Sequence, residues 1–482
     1  MAESAAGEFR PGTPRPARSG TVRTRLVEGW AHVRSWLSAH PAAGAAGVAL
    51  LAAGAAWLRL PPAVRDTLWA EDGRNFLQDA LTHGPLESLV IPYAGYLHTL
   101  PRIAASLTVS FVPVAFYAEA MTAFACLAAG VMAGLVFVCS AAVVRWLPAR
   151  LAISALTVLM PLEAREVLGN MANLHSIVLW SLFWMLLYRP RTRLTSIGLG
   201  VFALLGTLTE VQAVFLLPLL LWHPRDRIRW WLRGGYLLGV GIQLAVTLGW
   251  PRGHTGNPAV GLSSVVFGYF INSVVPVWIP ENAVGPAVVW GGMALCLALF
   301  LPFLVAAVVI GRFGSRMQRI AASGLVAGSV LIYSVSIALN PNSFYDYATL
   351  SRQDLASLWL VRYGVVPSMM LCALLPIAVD AMIARARRRR RRLHSIDQHR
   401  PGEWGAARFP ASVRFGIATL TVLALVLAVQ FVPQSTRRSA GPQWKPQVAA
   451  SVVSCRALPD STMIRLNETL GWHVSVSCGQ IE

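Results

Sequence analysis

Charged residues are scarce in this chain. They make up only 13% of its 482 residues, whereas soluble domains carry about 25%. Lys445 is the single lysine among 41 basic residues, and hydrophobic residues account for 55% of the sequence. A chain so poor in charge cannot cover an ordinary water-exposed surface, so the composition excludes a typical soluble domain and favours a membrane protein.

Several common sequence signatures are also missing. The sequence contains no heptads, solenoid repeats or phosphate-binding glycine loops, and it lacks the alternating pattern of barrel strands. The backbone of its apolar segments must therefore be satisfied inside helices. We predict an all-α polytopic membrane protein.

Apolar segments of roughly 20 residues, the length that crosses a bilayer, predict about eleven transmembrane helices. The segment 102–117 is short and contains Pro113, and we interpret it as interfacial or re-entrant. Residues 194–223 are compatible with one tilted helix or two short ones. The predicted spans lie near 41–60, 119–144, 151–164, 174–188, 194–208, 210–223, 233–250, 283–310, 318–339, 357–383 and 413–432.

The basic residues that give the chain its net charge of +19 are distributed as a membrane-topology signal, and they do not predict nucleic-acid binding. Arginines cluster in the tail 1–40 and in the loop 384–412, and under the positive-inside rule both face the cytoplasm. The tail is predicted to be disordered, and 61–118 to form the first external loop of the 41–432 membrane domain. The protein is then a multi-pass cell-membrane protein with a cytoplasmic N-terminus and an extracytoplasmic C-terminus.

The region after the last predicted span, 433–482, is small. Its segments "SVVSC", "TMIRLN" and "WHVSVSC" predict short strands. Cys455 and Cys478 are its only cysteines, and on the outer side of a membrane they can oxidise. We predict that these two cysteines form a disulfide.

Acidic residues near the membrane gather on the predicted outer side. The stretch "TLWAEDGRNFLQDAL" (67–81) contains Glu71 and Asp72, and "PLEAREVLGNMANLH" (161–175) contains Glu163 and Glu166. Carboxylates at membrane depth are costly unless they pair or line a wet cavity, so they suggest function. A helix cap is the structural alternative for Asp72, and a structural hydrogen bond is an equal alternative for His98 and His175.

Together with the short first span and the acidic outer loops, the motifs "WAEDGRNFLQDAL…PYAGYLHTLPR", "GNMANLH" and "VRYGVVP" resemble the GT-C superfamily of polytopic glycosyltransferases, in a poorly characterised bacterial branch. The resemblance implies a polyprenyl-phosphate-linked sugar donor and a glycan or lipid acceptor. It also implies a first-loop catalytic acid at Glu71 or Asp72 and a second-loop acid at Glu163 or Glu166. One departure is that neither loop contains a D-x-D motif, so no metal ligands are assigned, and a divalent metal cofactor stays an open alternative without support from a motif.

Sugar transfer from a lipid phosphate needs a base near the acceptor hydroxyl and positive charge near the leaving phosphate. Asp72 is favoured as the base, because the adjacent Glu71 can raise its pKa. The predicted substrate-binding residues are Arg74, His98, Arg102, Asn170, Asn173, His175, Arg362 and Tyr363. A lipid or glycan transporter and a non-catalytic assembly protein of the same fold are the alternative functions.

Overall fold

The computed structural model describes residues 40–253, 256–396 and 411–481. Residues 1–39 of the predicted N-terminal tail and 397–410 of the predicted Arg-rich loop lie outside these ranges. The chain divides into two units, 1–44 and 45–482. Apart from residues 40–44, the described residues belong to the second unit, and they are mostly helical.

The first half of the described chain is helical, with short connecting turns. Its elements are α1 (Pro41–Arg59), α2 (Pro62–Arg65), a π-helix (Asp72–Leu77), α3 (Gln78–His83), a 3-10 helix (Glu87–Val90), α4 (Thr99–Phe111), a 3-10 helix (Val114–Phe116), α5 (Tyr117–Cys139), a 3-10 helix (Ser140–Ala142), α6 (Leu147–Leu159), α7 (Glu163–Glu166), α8 (Leu174–Leu187), α9 (Arg193–Thr207) and 3-10 helices at Val211–Leu221 and Arg227–Arg229.

The second half adds the longest helices and a small sheet. Its elements are α10 (Trp230–Gly249), α11 (Leu262–Tyr269), a π-helix (Phe270–Val274), α12 (Val275–Trp278), α13 (Glu281–Phe313), α14 (Arg316–Leu339), a 3-10 helix (Ser343–Tyr345), α15 (Arg352–Ala356), a 3-10 helix (Arg362–Gly364), α16 (Val365–Ile396), α17 (Ala411–Val429), α18 (Trp444–Cys455), β1 (Met463–Asn467), β2 (His473–Ser477) and α19 (Cys478–Ile481).

Seven helical stretches in the described residues are long and apolar enough to cross a membrane, and all seven coincide with predicted spans. They are Pro41–Arg59, Val114–Ala142, Leu147–Glu166, Arg227–Gly249, Glu281–Phe313, Arg316–Leu339 and Arg362–Arg389. The other four predicted spans correspond to the shorter apolar helices α8, α9, α17 and the 3-10 helix Val211–Leu221. The count of eleven therefore stays a prediction.

Several boundaries differ from the prediction. The segment 194–223 is two helices that part at Thr209 and Glu210. Helix α16 begins eight residues later than the predicted 357 and continues through the arginine tract to Ile396, since arginine is a good helix former. The predicted strand "SVVSC" is wrong, because these residues form the end of helix α18.

Small residues let neighbouring helices approach closely. A Cβ atom added to Gly130 of α5 would clash with the Ala49 carbonyl oxygen of α1. A Cβ atom on Gly235 of α10 would clash with the Gly200 carbonyl oxygen of α9. Glycine at these crossings is required by backbone contact, as is common where helices pack in membranes.

A fully buried arginine ties three helix ends together. Arg59 ends α1, and its guanidinium donates to the carbonyl oxygens of Val158, Met160 (3.1 Å) and Phe431 (2.8 Å). The same group lies 3.6 Å from the carboxylate of Glu163, which is also fully buried. The ends of α1 and α6 and the segment that follows α17 therefore meet around one ion pair.

The C-terminal region packs against the first predicted external loop. Buried Trp444 donates from its backbone to Asp66 and from its indole to the carbonyl oxygen of Val114 (2.7 Å). Strands β1 and β2 pair antiparallel, with Met463 opposite Ser477 and Asn467 opposite His473. The region thus contributes its apolar residues to the core of the larger unit.

The two C-terminal cysteines are joined. Cys455, at the end of α18, forms a disulfide with Cys478, at the start of α19, with a Cα to Cα distance of 5.2 Å. The bond links the helix of this region to its two-stranded sheet.

Candidate functional site

A cavity of about 300 Å³ lies where several helices end. The start of α8, the end of α10 and the end of α14 border it, together with Glu210 and the 3-10 helix that begins at Arg362. The topology prediction assigns all these ends to one side of the membrane. Six predicted site residues line the cavity, namely Glu71, His98, Asn173, His175, Arg362 and Tyr363.

A tight turn forms the aromatic wall of the cavity. Tyr93 and Tyr96 exchange two backbone hydrogen bonds of 2.9 and 3.1 Å around Ala94 and Gly95, which both have positive φ. The turn brings the ring of His98 within 4.0 Å of the Tyr96 ring centre. Burial holds the pKa of His98 well below its ordinary value. This histidine is therefore neutral and packs as an aromatic ring.

Glu71 is the only acidic residue of the first predicted loop, 61–118, that lines the cavity. It immediately precedes the π-helix Asp72–Leu77 and borders the cavity. One carboxylate oxygen, Oε2, is buried and has no hydrogen-bond partner among the described residues. Buried polar atoms are rarely left unpaired in proteins. This oxygen therefore has an acceptor capacity that no described residue uses.

Asp72, which the sequence favours as the base, does not line the cavity. Its side chain is 1% exposed, and its two oxygens accept the backbone N–H groups of Met171 (2.9 Å) and Ala172 (2.7 Å). Burial raises the pKa of Asp72 to about 7, and the two N–H donors oppose that rise. The residue fixes the second loop to the first. Its side chain makes no cap hydrogen bond to the helix that begins with it, so the helix-cap alternative is not confirmed either.

Removing the Asp72 carboxylate should therefore lower stability. Asp72→Ala leaves two buried N–H donors unpaired, at about 1–3 kcal/mol each. We expect a lower melting temperature of the purified protein in detergent, whereas the control Asp460→Ala, at an exposed site, should melt like the wild type. Loss of activity at unchanged stability would instead assign Asp72 a chemical role.

The second-loop acids are placed behind the cavity wall. Glu163 is paired with Arg59 in the core. Glu166 is 7% exposed and accepts a 2.6 Å hydrogen bond from Arg362. Neither lines the cavity, so the prediction that Glu163 or Glu166 forms its opposite wall is wrong. Glu166 instead holds the guanidinium of Arg362, which does line the cavity.

The cavity lining also contains residues that the sequence does not single out as site residues. Glu210 accepts from Nδ1 of His175 at 2.5 Å and from the backbone of Gln212 at 2.6 Å. Arg252 reaches the cavity and donates to the side chain of Asn340. Glu210 is detectable in the sequence as the single acid of the apolar segment 194–223.

Three predicted binding residues lie outside the cavity. Arg74 is exposed and stacks on Trp472 at 4.8 Å, and Arg102 is buried with Asp79 at 3.0 Å. Asn170 is buried and accepts the backbone N–H of Asn173 at 2.9 Å. These residues shape the loops around the cavity.

A carboxyl group from the C-terminal region approaches the first loop. Glu468 is 1% exposed, and its Oε1 accepts the backbone N–H of Arg74 at 3.0 Å. A Cβ atom on Gly73 would clash with its Oε2. Burial, with the nearby acids Asp72 and Glu71, raises the pKa of Glu468 to about 10. Sequence alone gives no signal for this contact, because 394 residues separate the partners.

This buried acid should make stability depend on pH. The folded state keeps a proton on Glu468 that the unfolded chain releases above its ordinary pKa of 4.5. Stability from this group is complete below that value and falls as the pH rises toward 10, by up to about 1.4 kcal/mol per pH unit. Glu468→Gln should flatten this fall, with a higher melting temperature than the wild type at alkaline pH. The exposed control Glu87→Gln should follow the wild type, and an unaltered pH profile in Glu468→Gln would contradict the assignment.

The described residues contain no group of three or more His, Cys, Asp or Glu side chains that could hold a metal ion. Comparison with known proteins found no matching family model, no matching curated protein and no matching solved structure. The function must therefore be argued from the cavity itself.

Proposed function

We propose that the chain is a multi-pass cell-membrane glycosyltransferase. It would move a sugar from a polyprenyl-phosphate-linked donor to a cell-envelope acceptor on the extracytoplasmic face. The observation that carries this proposal is that Glu71 and Arg362 line the same cavity, and that one carboxylate oxygen of Glu71 has no hydrogen-bond partner among the described residues. A base and a cation around one volume suit transfer from a phosphate leaving group.

The reaction step assigns Glu71 as the general base. The acceptor hydroxyl oxygen bonds to the anomeric carbon of the sugar while Glu71 takes the hydroxyl proton. The bond from that carbon to the phosphate oxygen breaks, and the electron pair leaves with the phosphate. Arg362, held by Glu166, is placed to stabilise the negative charge that develops there. Tyr93, Tyr96 and Tyr363 supply aromatic faces on which a sugar can stack.

The position of the cavity at helix ends supports a lipid-linked substrate. Several flanking helices are long and apolar enough to cross a membrane, so the cavity would lie near the level at which a lipid phosphate meets water. A transporter is expected to place its polar site near the midplane between broken helices. The polar groups here gather at helix ends, which favours transfer over transport.

The test is reconstitution of the full chain in vesicles with labelled polyprenyl-phosphate sugars and an envelope lipid extract. The proposal expects a new glycosylated product, detected by mass spectrometry, and release of polyprenyl phosphate. Movement of labelled donor across the bilayer without a product would instead establish a transporter. An unchanged donor pool, with neither product nor movement, would contradict both and favour an assembly role.

A further inference from the structure

Three neighbouring arginines, of which Arg362 lines the cavity, leave donors unused. We call Arg165, Arg362 and Arg437 the arginine triad. The Nε atom of each is buried and has no hydrogen-bond partner among the described residues. Guanidinium groups are always charged and present fixed N–H donors, so buried unpaired N–H groups are unfavourable unless a ligand accepts from them. Three such donors in one cluster suit an anion as their common acceptor.

Two carboxylates hold the triad in place. Glu166 accepts a hydrogen bond from Arg362 through Oε1, and its Oε2 lies 3.9 Å from Nε of Arg437. Glu281 pairs with Arg165 and also accepts from Ser435 at 3.1 Å. Glu71 is a third carboxylate near the guanidinium of Arg362. The anion site is therefore inferred from the unused donors of the triad and not from its net charge.

An aromatic ring holds two members of the triad in place. The guanidinium carbons of Arg165 and Arg437 lie 4.0 and 3.9 Å from the ring centre of Trp359. Their chain segments are also joined, since the backbone N–H of Arg437 donates to the carbonyl oxygen of Arg165 at 2.9 Å. Trp359 itself is 44% exposed. The triad is therefore preorganised and reaches the protein surface on this side.

We propose that the arginine triad binds the phosphate group of the lipid-linked substrate. Arg362 belongs both to the triad and to the cavity wall, so a phosphate held here would place an attached sugar toward Glu71. A phosphate presents several oxygens that can accept from separate guanidinium groups, whereas a carboxylate presents two. The identity of the phosphate as a lipid phosphate rests on the proposed function, whereas the anion site rests on the triad alone.

The proposal differs from the sequence-based prediction in two respects. Arg102, predicted to hold the donor phosphate, is buried with Asp79, and its guanidinium carbon lies 5.4 Å from the ring centre of the cavity-lining Phe76. Arg102 itself does not line the cavity and is not part of the triad. Arg437 lies in the C-terminal region, eight residues after the end of helix α17. This region therefore contributes directly to substrate binding.

The test is a binding measurement that needs no turnover. The full chain in lipid nanodiscs is titrated with a long-chain polyprenyl monophosphate, with the corresponding polyprenol and with inorganic phosphate, and binding is measured by tryptophan fluorescence and native mass spectrometry. We expect the polyprenyl phosphate to bind at least about tenfold more tightly than the polyprenol, since the phosphate accepts charge-assisted hydrogen bonds. Displacement by inorganic phosphate would identify a free-phosphate site, and its failure to displace would identify a lipid-phosphate site. Both results support an anion site.

The variants test which residues hold the phosphate. Arg437→Gln should weaken binding by about tenfold or more, whereas Arg437→Lys, which keeps the charge but loses the planar fork, should lie between Arg437→Gln and the wild type. The matched control is Arg465→Gln, an exposed arginine of strand β1 in the same region, and it should bind like the wild type. Arg437→Gln should fold, because the bond to Arg165 uses its backbone N–H.

Two results would overturn this proposal. One is equal binding of polyprenol and polyprenyl phosphate by the wild type, and the other is unaltered phosphate binding by Arg437→Gln and Arg362→Gln. Either result is compatible with sugar transfer by the protein. The donor phosphate would then be bound by residues outside the triad. Conversely, phosphate binding that depends on the triad, in a protein that yields no product, would contradict the proposed transfer and keep the anion site.

Discussion

Glu71→Gln should reduce sugar transfer by about 10²–10⁴-fold, the usual cost of losing a general base. Glutamine has nearly the same shape but cannot take the acceptor proton. Oε2 of Glu71 has no hydrogen-bond partner among the described residues, so its replacement breaks no such bond. The melting temperature should therefore stay close to that of the wild type. The measurement is the initial rate of product formation in vesicles at saturating donor.

The control for this experiment is Glu87→Gln, at an exposed acid of the same loop, which should keep full activity. Full activity in Glu71→Gln would contradict the assignment. The pair formed by His175 and Glu210 would then be the remaining base on the cavity wall, and His175→Gln would test it. Loss of folded protein in Glu71→Gln would show a structural role instead.

Arg59→Met should cost about 3–5 kcal/mol of stability, because it leaves the Glu163 carboxylate buried without a partner. It also removes the donors that reach the carbonyl oxygens of Met160 and Phe431. We expect a large drop in the denaturant midpoint of the detergent-solubilised protein and poor accumulation in the membrane. The double variant Arg59→Met with Glu163→Gln should recover part of this loss, because the buried charge is removed.

Arg65→Met is the matched control for that experiment. Arg65 is only half-buried, donates to the carbonyl oxygen of Leu60 and stacks on Trp57 at 4.7 Å. Its loss should cost much less, since no carboxylate is left alone. Equal midpoints for Arg59→Met and Arg65→Met would mean that the buried pair does not hold the helix ends together.

The sequence predicts the helices well where apolar length decides them. The apolar runs 41–60 and 318–339 predict α1 and α14 within a few residues, because a long apolar run can satisfy its backbone only as a helix. The sequence also predicts that Glu71, His175 and Arg362 lie at one end of the helices, because the positive-inside rule assigns their loops to the same side of the membrane. The start of α16 is less well predicted. The predicted span begins at 357, whereas the helix begins at Val365, and Arg362 before it lines the cavity.

The choice among neighbouring acids cannot be predicted in this way. Glu71 and Asp72 are adjacent and chemically alike. They differ because the N–H groups of Met171 and Ala172, 99 and 100 residues after Asp72, bind the carboxylate of Asp72 and not that of Glu71. The contacts of Glu468 and Arg437 depend in the same way on tertiary packing of the C-terminal region. Local sequence carries no information about such distant partners.

The most direct test of the central claim is photo-crosslinking with a polyprenyl-phosphate sugar that carries a diazirine on the sugar ring. The full chain in vesicles is irradiated with this probe, digested and sequenced by mass spectrometry. The account predicts labelled residues in the turn between Tyr93 and His98 and around Asn340, which line the cavity with Glu71, and loss of labelling when unmodified donor is in excess. Competable labelling confined to peptides outside the cavity wall would contradict the claim that this cavity binds the sugar.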